Sequence, residues 1–387
     1  MNRIEGERIV RSASLLLLGQ PPRGELVHTD LIADLVIHHG LGALGSYQVG
    51  HHDVWRRKLE GEALHRLDQT VLQAKIRRNM VAVALADAVE VLRGFRPILF
   101  KGLALANLYP KPYLRDPGDL DMLLGEGEFE DALDLLQKAG WRIQPSVHRN
   151  HPTEISKRYG FAQVLRHPVR PVILDLHRDP IDRTEAFWIG LDDLISNTRR
   201  LELSEGVSVS TLAPMQHLAL TAIHSIRHGT FRLAWTLDVH LGCDAWKNEI
   251  NREEFVDFCR RWKVLRAARV GFEVARQLHG TPWHPLDHLP YDGATARAAA
   301  RRSPYVIARG HLTRRGSWRR FSAMVDLIES NSDKWRYIIK TLFPSRDLFV
   351  FGDDKRPGWF SYISGRFKAM FVVLFKGEKK RRTGKNP

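Results

Sequence analysis

The alternation of apolar and polar positions divides the chain into a helical beginning, a short region of strands and a helical second half. Helices are expected over Glu7 to Leu18, Asp30 to His38 and Glu62 to Leu92, where apolar residues recur at helical spacing, and Gly94 supplies a stop for the last. Arg96-Pro97-Ile98-Leu99-Phe100 then reads as a short apolar strand that runs into Lys101-Gly102 and a helical segment from Leu103 to Tyr109. A loop holding Pro110, Pro112, Pro117 and Gly118 leads to a second apolar strand, Asp119 to Leu124, and a helix carrying Phe129, Ala132, Leu133 and Leu136 that Gly140 ends. Trp141 to Ile143 adds an edge strand. A stretch rich in His and Arg, from His148 to Arg170, precedes a third clear strand, Pro171 to Leu176, with which the sheet is expected to be complete. Ser210-Thr211-Leu212-Ala213-Pro214 reads as a helix start, and Met215 to about Gly280 as helical. A Pro-containing loop from Thr281 to Ala294, one or two helices to Phe343 and a basic tail after Gly352 finish the chain.

This order of elements predicts an α+β protein: a small mixed β-sheet core with helices packed on it, flanked by N-terminal and C-terminal helical regions. The expected divisions are an N-terminal helical region over 1–94, a core over 95–210, a helical domain over 211–345 and a basic tail over 346–387. The 387 residues, 43% hydrophobic and 27% charged, suit a folded chain with a sizeable core rather than a disordered one. A formal net charge of +15 favours anionic partners: nucleotides, nucleic acid or an anionic membrane surface. In the tail, Phe367, Phe371, Val372, Leu374 and Phe375 alternate with Lys and Arg, a pattern open to peripheral contact with an anionic membrane or nucleic acid or to an ordinary docked helix with a basic end. Cys243 and Cys259 are too few for a disulfide framework and too distant for a C-x-x-C pair, so a cytoplasmic setting is expected. The apolar run Leu15 to Leu18 lacks the basic flank of a signal peptide, and no stretch approaches the length needed to span a bilayer.

The chemistry concentrates around the glycine turn. Asp119 and Asp121 lie two apart on a strand, so the period of two points both carboxylates to one face, where a hard divalent cation relieves their repulsion. Asp175, on another apolar strand, supplies a third ligand if the two strands are neighbours, which would make two metal ions feasible. Gly102 sits where backbone N–H groups and a helix start can approach a phosphate, Lys101 adds a point charge, and Arg115 is placed to reach a phosphate or clamp the acidic pair. The expected ligand is a triphosphate with its divalent cation, Mg²⁺ or Mn²⁺. His217 and His224, seven apart on one helix face, form with Arg227, His228, Arg232 and Asp238 either a base or acceptor pocket or a partly buried polar seam.

Phe100-Lys101-Gly102-Leu103-Ala104-Leu105-Ala106, Tyr109-Pro110, Leu114-Arg115 and Gly118-Asp119-Leu120-Asp121 together resemble the uncharacterised nucleotidyltransferase family of bacteria. The resemblance continues through Asp175-Leu176-His177, Leu218 to His224, Arg232-Leu233 and Asp238, covering roughly residues 60 to 245. It implies a polymerase-β-like nucleotidyltransferase core that moves a nucleotidyl group from a triphosphate to an acceptor hydroxyl. Asp119, Asp121 and Asp175 would be the catalytic and metal-holding residues, and Lys101, Gly102, Arg115, His224 and Asp238 would bind the nucleotide. One departure is local: the general signature of the superfamily has Ser or Gly after its glycine, whereas Leu103 follows Gly102 here. The acceptor stays open among a small alcohol, a saccharide, a protein side chain and an RNA end.

Two other functions share these residues. A metal-dependent glycosyltransferase also uses Asp-x-Asp, but the glycine turn directly upstream and the helical region before it favour nucleotidyl transfer. A regulatory or antitoxin-like binder of the same fold is disfavoured by the retention of all three carboxylates.

Overall fold

The computed structural model describes residues 3–343, apart from 25, 27, 60, 126, 145–161, 182–186, 204–205, 228–231, 291 and 301–316, together with residues 363–365. Except for those last three, the expected basic tail lies outside the described residues, as do His148, His151 and His228.

The chain begins with helices α1 (Arg3–Leu17), α2 (Thr29–His38), α3 (Gly42–His51), α4 (Asp53–Lys58) and the long α5 (Glu62–Val91). Helices α3 and α4 were not expected from periodicity. In α3 the residues Gly42, Ala43, Leu44, Gly45, Gln48 and Val49 are all buried, so there is no clean polar face to announce a helix.

A seven-stranded mixed sheet follows. Its strands are β1 (Ile98–Leu99), β2 (Leu120–Leu123), β3 (Arg142–Ile143), β4 (Ala162–Arg166), β5 (Ile173–His177), β6 (Thr198–Glu202) and β7 (Ser208–Leu212), in the spatial order β3-β4-β5-β2-β1-β7-β6. Strand β2 runs parallel to β5 and β1 runs parallel to β7, while the other neighbours are antiparallel. The segment after the glycine turn is a 3-10 helix, Gly102–Leu108. Between β2 and β3, α6 (Phe129–Lys138) buries Phe129, Ala132 and Leu136 on one stripe. Gly140 then takes a positive φ of 92°, and the Trp141 N–H donates back to the Leu136 carbonyl at 3.0 Å, closing the helix.

Two readings of this region are corrected. The sheet does not end with the Pro171–Leu176 strand, because the β6–β7 hairpin adds to the edge beyond β1. Ser210-Thr211-Leu212 is strand rather than helix start: Ser210 lies opposite Ile98 and Thr211 opposite Leu99, the Thr211 hydroxyl donates to the Leu99 carbonyl at 2.7 Å, and the helix begins at Pro214. A Ser-Thr pair before proline is locally a good cap; the ladder with a strand more than a hundred residues away overrides that preference.

Beyond α7 (Leu191–Ile195), the second half is α8 (Pro214–Arg227), α9 (Leu233–Trp246), α10 (Arg252–Arg261), α11 (Leu265–His279), α12 (Gly293–Ala300), α13 (Ser317–Leu327) and α14 (Asn331–Leu342). Helix α11 crosses α8 so closely that a Cβ on Gly271 would sit 2.3 Å from the Ala222 carbonyl oxygen. Among the described residues, no helix is long and apolar enough to cross a membrane.

The sheet lies between two apolar layers. One face, with Leu99, Leu120, Met122, Leu174 and Leu176, packs with Leu85 and Ala88 of α5 and Phe129 of α6. The other, with Ile98, Phe100, Leu123 and Leu212, joins a continuous core that includes Leu218 and Leu237 of α8 and α9 and Leu16 and Ile32 of α1 and α2. Both cysteines are free and buried.

Candidate active site

Strand parity selects the face. Because Leu120 and Met122 belong to the layer under α5 and α6, Asp121 points the other way, while Asp119 sits in a bend just before the strand and feels Asp121 and Lys101 through their charges. The same holds on β5, where Leu174 and Leu176 alternate with Asp175 and His177. The parallel register sets Asp121 opposite Asp175 and Leu123 opposite His177. One ligand atom each from Asp121, Asp175 and His177 all lie within 4.8 Å of one another. The two strands are thus neighbours, and among the described residues the third possible ligand grouped with Asp121 and Asp175 is His177 rather than Asp119.

These carboxylates feel one another. Burial first, then the charges of Asp119 and Asp121, push the Asp175 carboxyl up to about 7. Burial and then Asp121 raise Asp119 to about 6, against the pull of Lys101, Arg115 and Arg232. Asp121 goes the other way. Burial alone would raise it, but the Lys101 ammonium and the His177 hydrogen bond outweigh burial and hold it below the usual carboxylate range.

The two contacts are direct: Asp121 Oδ1 accepts from Lys101 Nζ at 2.9 Å and from His177 Nε2 at 2.9 Å. Burial, with the Lys101 charge, lowers His177 to about 4. Its Nε2 faces Asp121 Oδ1 at 2.9 Å and its Nδ1 the Asp179 carbonyl at 3.3 Å, both acceptors, and the shorter contact, to a carboxylate, favours the single proton of the neutral ring on Nε2. His177 is the residue of this face that the sequence reading left without a role. Its signal was the period of two that puts it on the same strand face as Asp175.

Lys101 has φ 59° and ψ −152°, a conformation that is strained for any residue with a Cβ. Its N–H donates to His217 Nε2 at 3.3 Å, and its ammonium lies 4.3 Å from the Phe100 ring centroid. His217, lowered by burial and then by Arg199 to about 3, is a neutral acceptor, stacked on Trp246. Next to this turn, a Cβ placed on Gly102 would meet nothing within 4 Å among the described residues beyond its chain neighbours, so the backbone there is open.

Arg115 does not clamp the acidic pair. Its Nε and Nη2 each lie 2.9 Å from a different oxygen of Asp238 on α9, its Nη1 donates to the Asp116 carbonyl, and the Tyr109 hydroxyl donates to the same Asp238 at 2.7 Å. Both charged side chains are buried, 9% and 3% exposed. The fork therefore fastens the 109–118 loop to α9 immediately before Asp119, and Arg115 acts on Asp119 only through its charge. His224, on α8, sets its ring at 4.8 Å from Trp235 in an edge-on contact.

The raised Asp175 makes a pH-dependent prediction. Its folded value lies above the unfolded one, so its ionisation destabilises the metal-free fold progressively from about pH 4 to about pH 7. Asp175→Asn removes that cost. In EDTA, the thermal stability of this variant relative to the parent is expected to improve as pH rises through that window and to level off above it. The paired comparison cancels His177, His217 and His279, which burial keeps neutral and which act with the opposite sign. A difference that does not change with pH would mean that Asp175 ionises normally.

No curated protein matches the chain. Among solved structures, an antigenic nucleotidyltransferase-like protein from Paracoccidioides brasiliensis is similar at 16% identity and a TM-score of 0.29, over 49% of this chain and 90% of that one. The family described as uncharacterised nucleotidyltransferase matches residues 26–280, more than half of the chain and the whole of the sheet and its carboxylates. The chain thus belongs to the uncharacterised nucleotidyltransferase family.

Proposed function

We propose that the protein transfers a nucleoside monophosphate from a nucleoside triphosphate to an acceptor hydroxyl, with Mg²⁺ or Mn²⁺ at the carboxylate face. The observation that carries this reading is the pairing of Asp121 with Asp175 across two parallel strands, with Asp119 in the bend just before the first of them. Asp121 and Asp175 meet there with His177 within 4.8 Å, and Asp119 and Asp175, raised to about 6 and about 7 first by burial and then by neighbouring carboxylates, are groups whose ionised forms a divalent cation would favour. The donor set is mainly carboxylate oxygen, which suits these hard cations. Asp119, Asp121 and Asp175 would hold the metal, which when bound neutralises phosphate charge and polarises the α-phosphate.

The chain's own groups then have separable tasks. The open backbone at Gly102 and the Lys101 ammonium receive the triphosphate. His177, through Nε2–H, fixes the orientation of the Asp121 carboxylate. Asp175, on the neighbouring strand, is placed either to help hold the metal or to take the proton of the acceptor hydroxyl as that oxygen bonds to the α-phosphorus and the bond to pyrophosphate breaks. Asp238 acts by holding Arg115, and His224, edge-on to Trp235, is the residue we assign to the base or acceptor.

The test is release of pyrophosphate, or self-labelling, from each labelled triphosphate with Mg²⁺ or Mn²⁺. Metal-dependent turnover of at least one triphosphate, abolished by chelation, is expected. Turnover of a sugar nucleotide in its place would support glycosyl transfer.

A further inference from the structure

We propose that Lys101 is a built-in competitor for the divalent cation: its ammonium neutralises Asp121 in the metal-free chain and has to leave Oδ1 for a cation to settle there, so that cation and triphosphate load together. The inference rests on the metal-dependent reading above and concerns the regulation of the same site.

The first ground is where the ammonium lies. Lys101 Nζ is 2.9 Å from Asp121 Oδ1, with the two side chains only 13% and 10% exposed, so water screens the pair weakly. The same oxygen already accepts from His177, and a cation arriving at this carboxylate would meet a positive charge on its immediate partner. Metal and ammonium therefore compete for one carboxylate.

The second ground is that the structure separates what is held from what can move. The Lys101 main chain is fixed in its strained turn, with its N–H on the buried, neutral ring of His217. Beyond the Cα there is a flexible four-carbon stem whose ammonium contacts Asp121 and the Phe100 ring face. The glycine side of the turn is open, since a Cβ on Gly102 would meet nothing within 4 Å among the described residues beyond its chain neighbours. A triphosphate bound at that opening offers the ammonium new anionic partners and draws it off Asp121. Loading the cation without a nucleotide carries no such compensation. The lysine thus opposes the metal alone and favours the metal with its nucleotide.

The two signs give the test. Mn²⁺ binding to the full chain at pH 8.5, without nucleotide, is measured by calorimetry or electron paramagnetic resonance for the parent, Lys101→Met and Lys101→Arg. Affinity for a non-hydrolysable triphosphate is then measured in saturating Mn²⁺, with circular dichroism confirming the fold of each variant. Lys101→Met is expected to bind Mn²⁺ alone on the order of tenfold more tightly, because a charge is removed from the carboxylate. It should also bind the triphosphate at least about tenfold more weakly, since a phosphate-facing charge is lost. Lys101→Arg, which keeps the charge, should stay near the parent for Mn²⁺ alone. Lys101→Met binding Mn²⁺ no more tightly than the parent overturns the competition while leaving a metal-dependent transferase standing. No uptake of Mn²⁺ by any of the three, with or without nucleotide, overturns the metal-dependent reading and the competition with it.

Discussion

Asp121→Asn is expected to lower nucleotidyl transfer by roughly a thousandfold or more, since it removes a charge from the centre at which transition-state charge is met. The substitution is nearly isosteric. The asparagine carbonyl oxygen can still accept from Lys101 Nζ and His177 Nε2, so the local hydrogen bonds survive. Asp119 and Asp175, each raised in part by the Asp121 charge, would ionise more readily in the variant, which works against collapse of the fold. The expected pattern is thus a large fall in kcat with an unchanged circular dichroism spectrum at the assay temperature and a lowered melting temperature, because the Lys101 ammonium loses its charged partner. Activity retained within tenfold would remove Asp121 from the chemistry and leave the acidic face a structural feature.

Arg115→Met should destabilise the fold by about 3–5 kcal/mol, the range for removing one partner of a buried ion pair. Asp238 would keep the Tyr109 hydroxyl but lose the guanidinium fork, in a position where its side chain is 3% exposed. Burial and the Asp238 charge already push the Tyr109 hydroxyl well above its ordinary range, so it stays a neutral donor and leaves the carboxylate charge uncompensated. The double change Arg115→Met with Asp238→Leu is expected to recover much of the loss, because an apolar pair of comparable volume leaves no charge uncompensated. Chemical denaturation of the three proteins measures both quantities. A single-variant cost below about 1 kcal/mol, the level of an exposed pair, would contradict the burial of this fork. A rescued double variant with low activity would further separate the loop-fastening task of Arg115 from stability in general.

Much of the site is written in local periodicity. The strand, glycine turn and 3-10 segment around Lys101, the face that Asp121 takes, and the alternation that turns Asp175 and His177 away from Leu174 and Leu176 follow from a period of two and from turn chemistry, which operate between near neighbours. The same signals carried the family resemblance and the order of the long helices. Partner choice is different in kind. That β5 lies beside β2 in the register that faces Asp121 with Asp175, that β7 continues the sheet beyond β1, and that Arg115 reaches Asp238 across 123 residues rather than the nearby acidic pair were decided by packing. So was the placing of the Lys101 ammonium on Asp121, which follows from a strained turn pinned by His217 of a later helix. A short stretch of chain specifies which way a side chain faces; which charge it meets there depends on the burial of remote elements against one another, and that is settled only when the whole core closes.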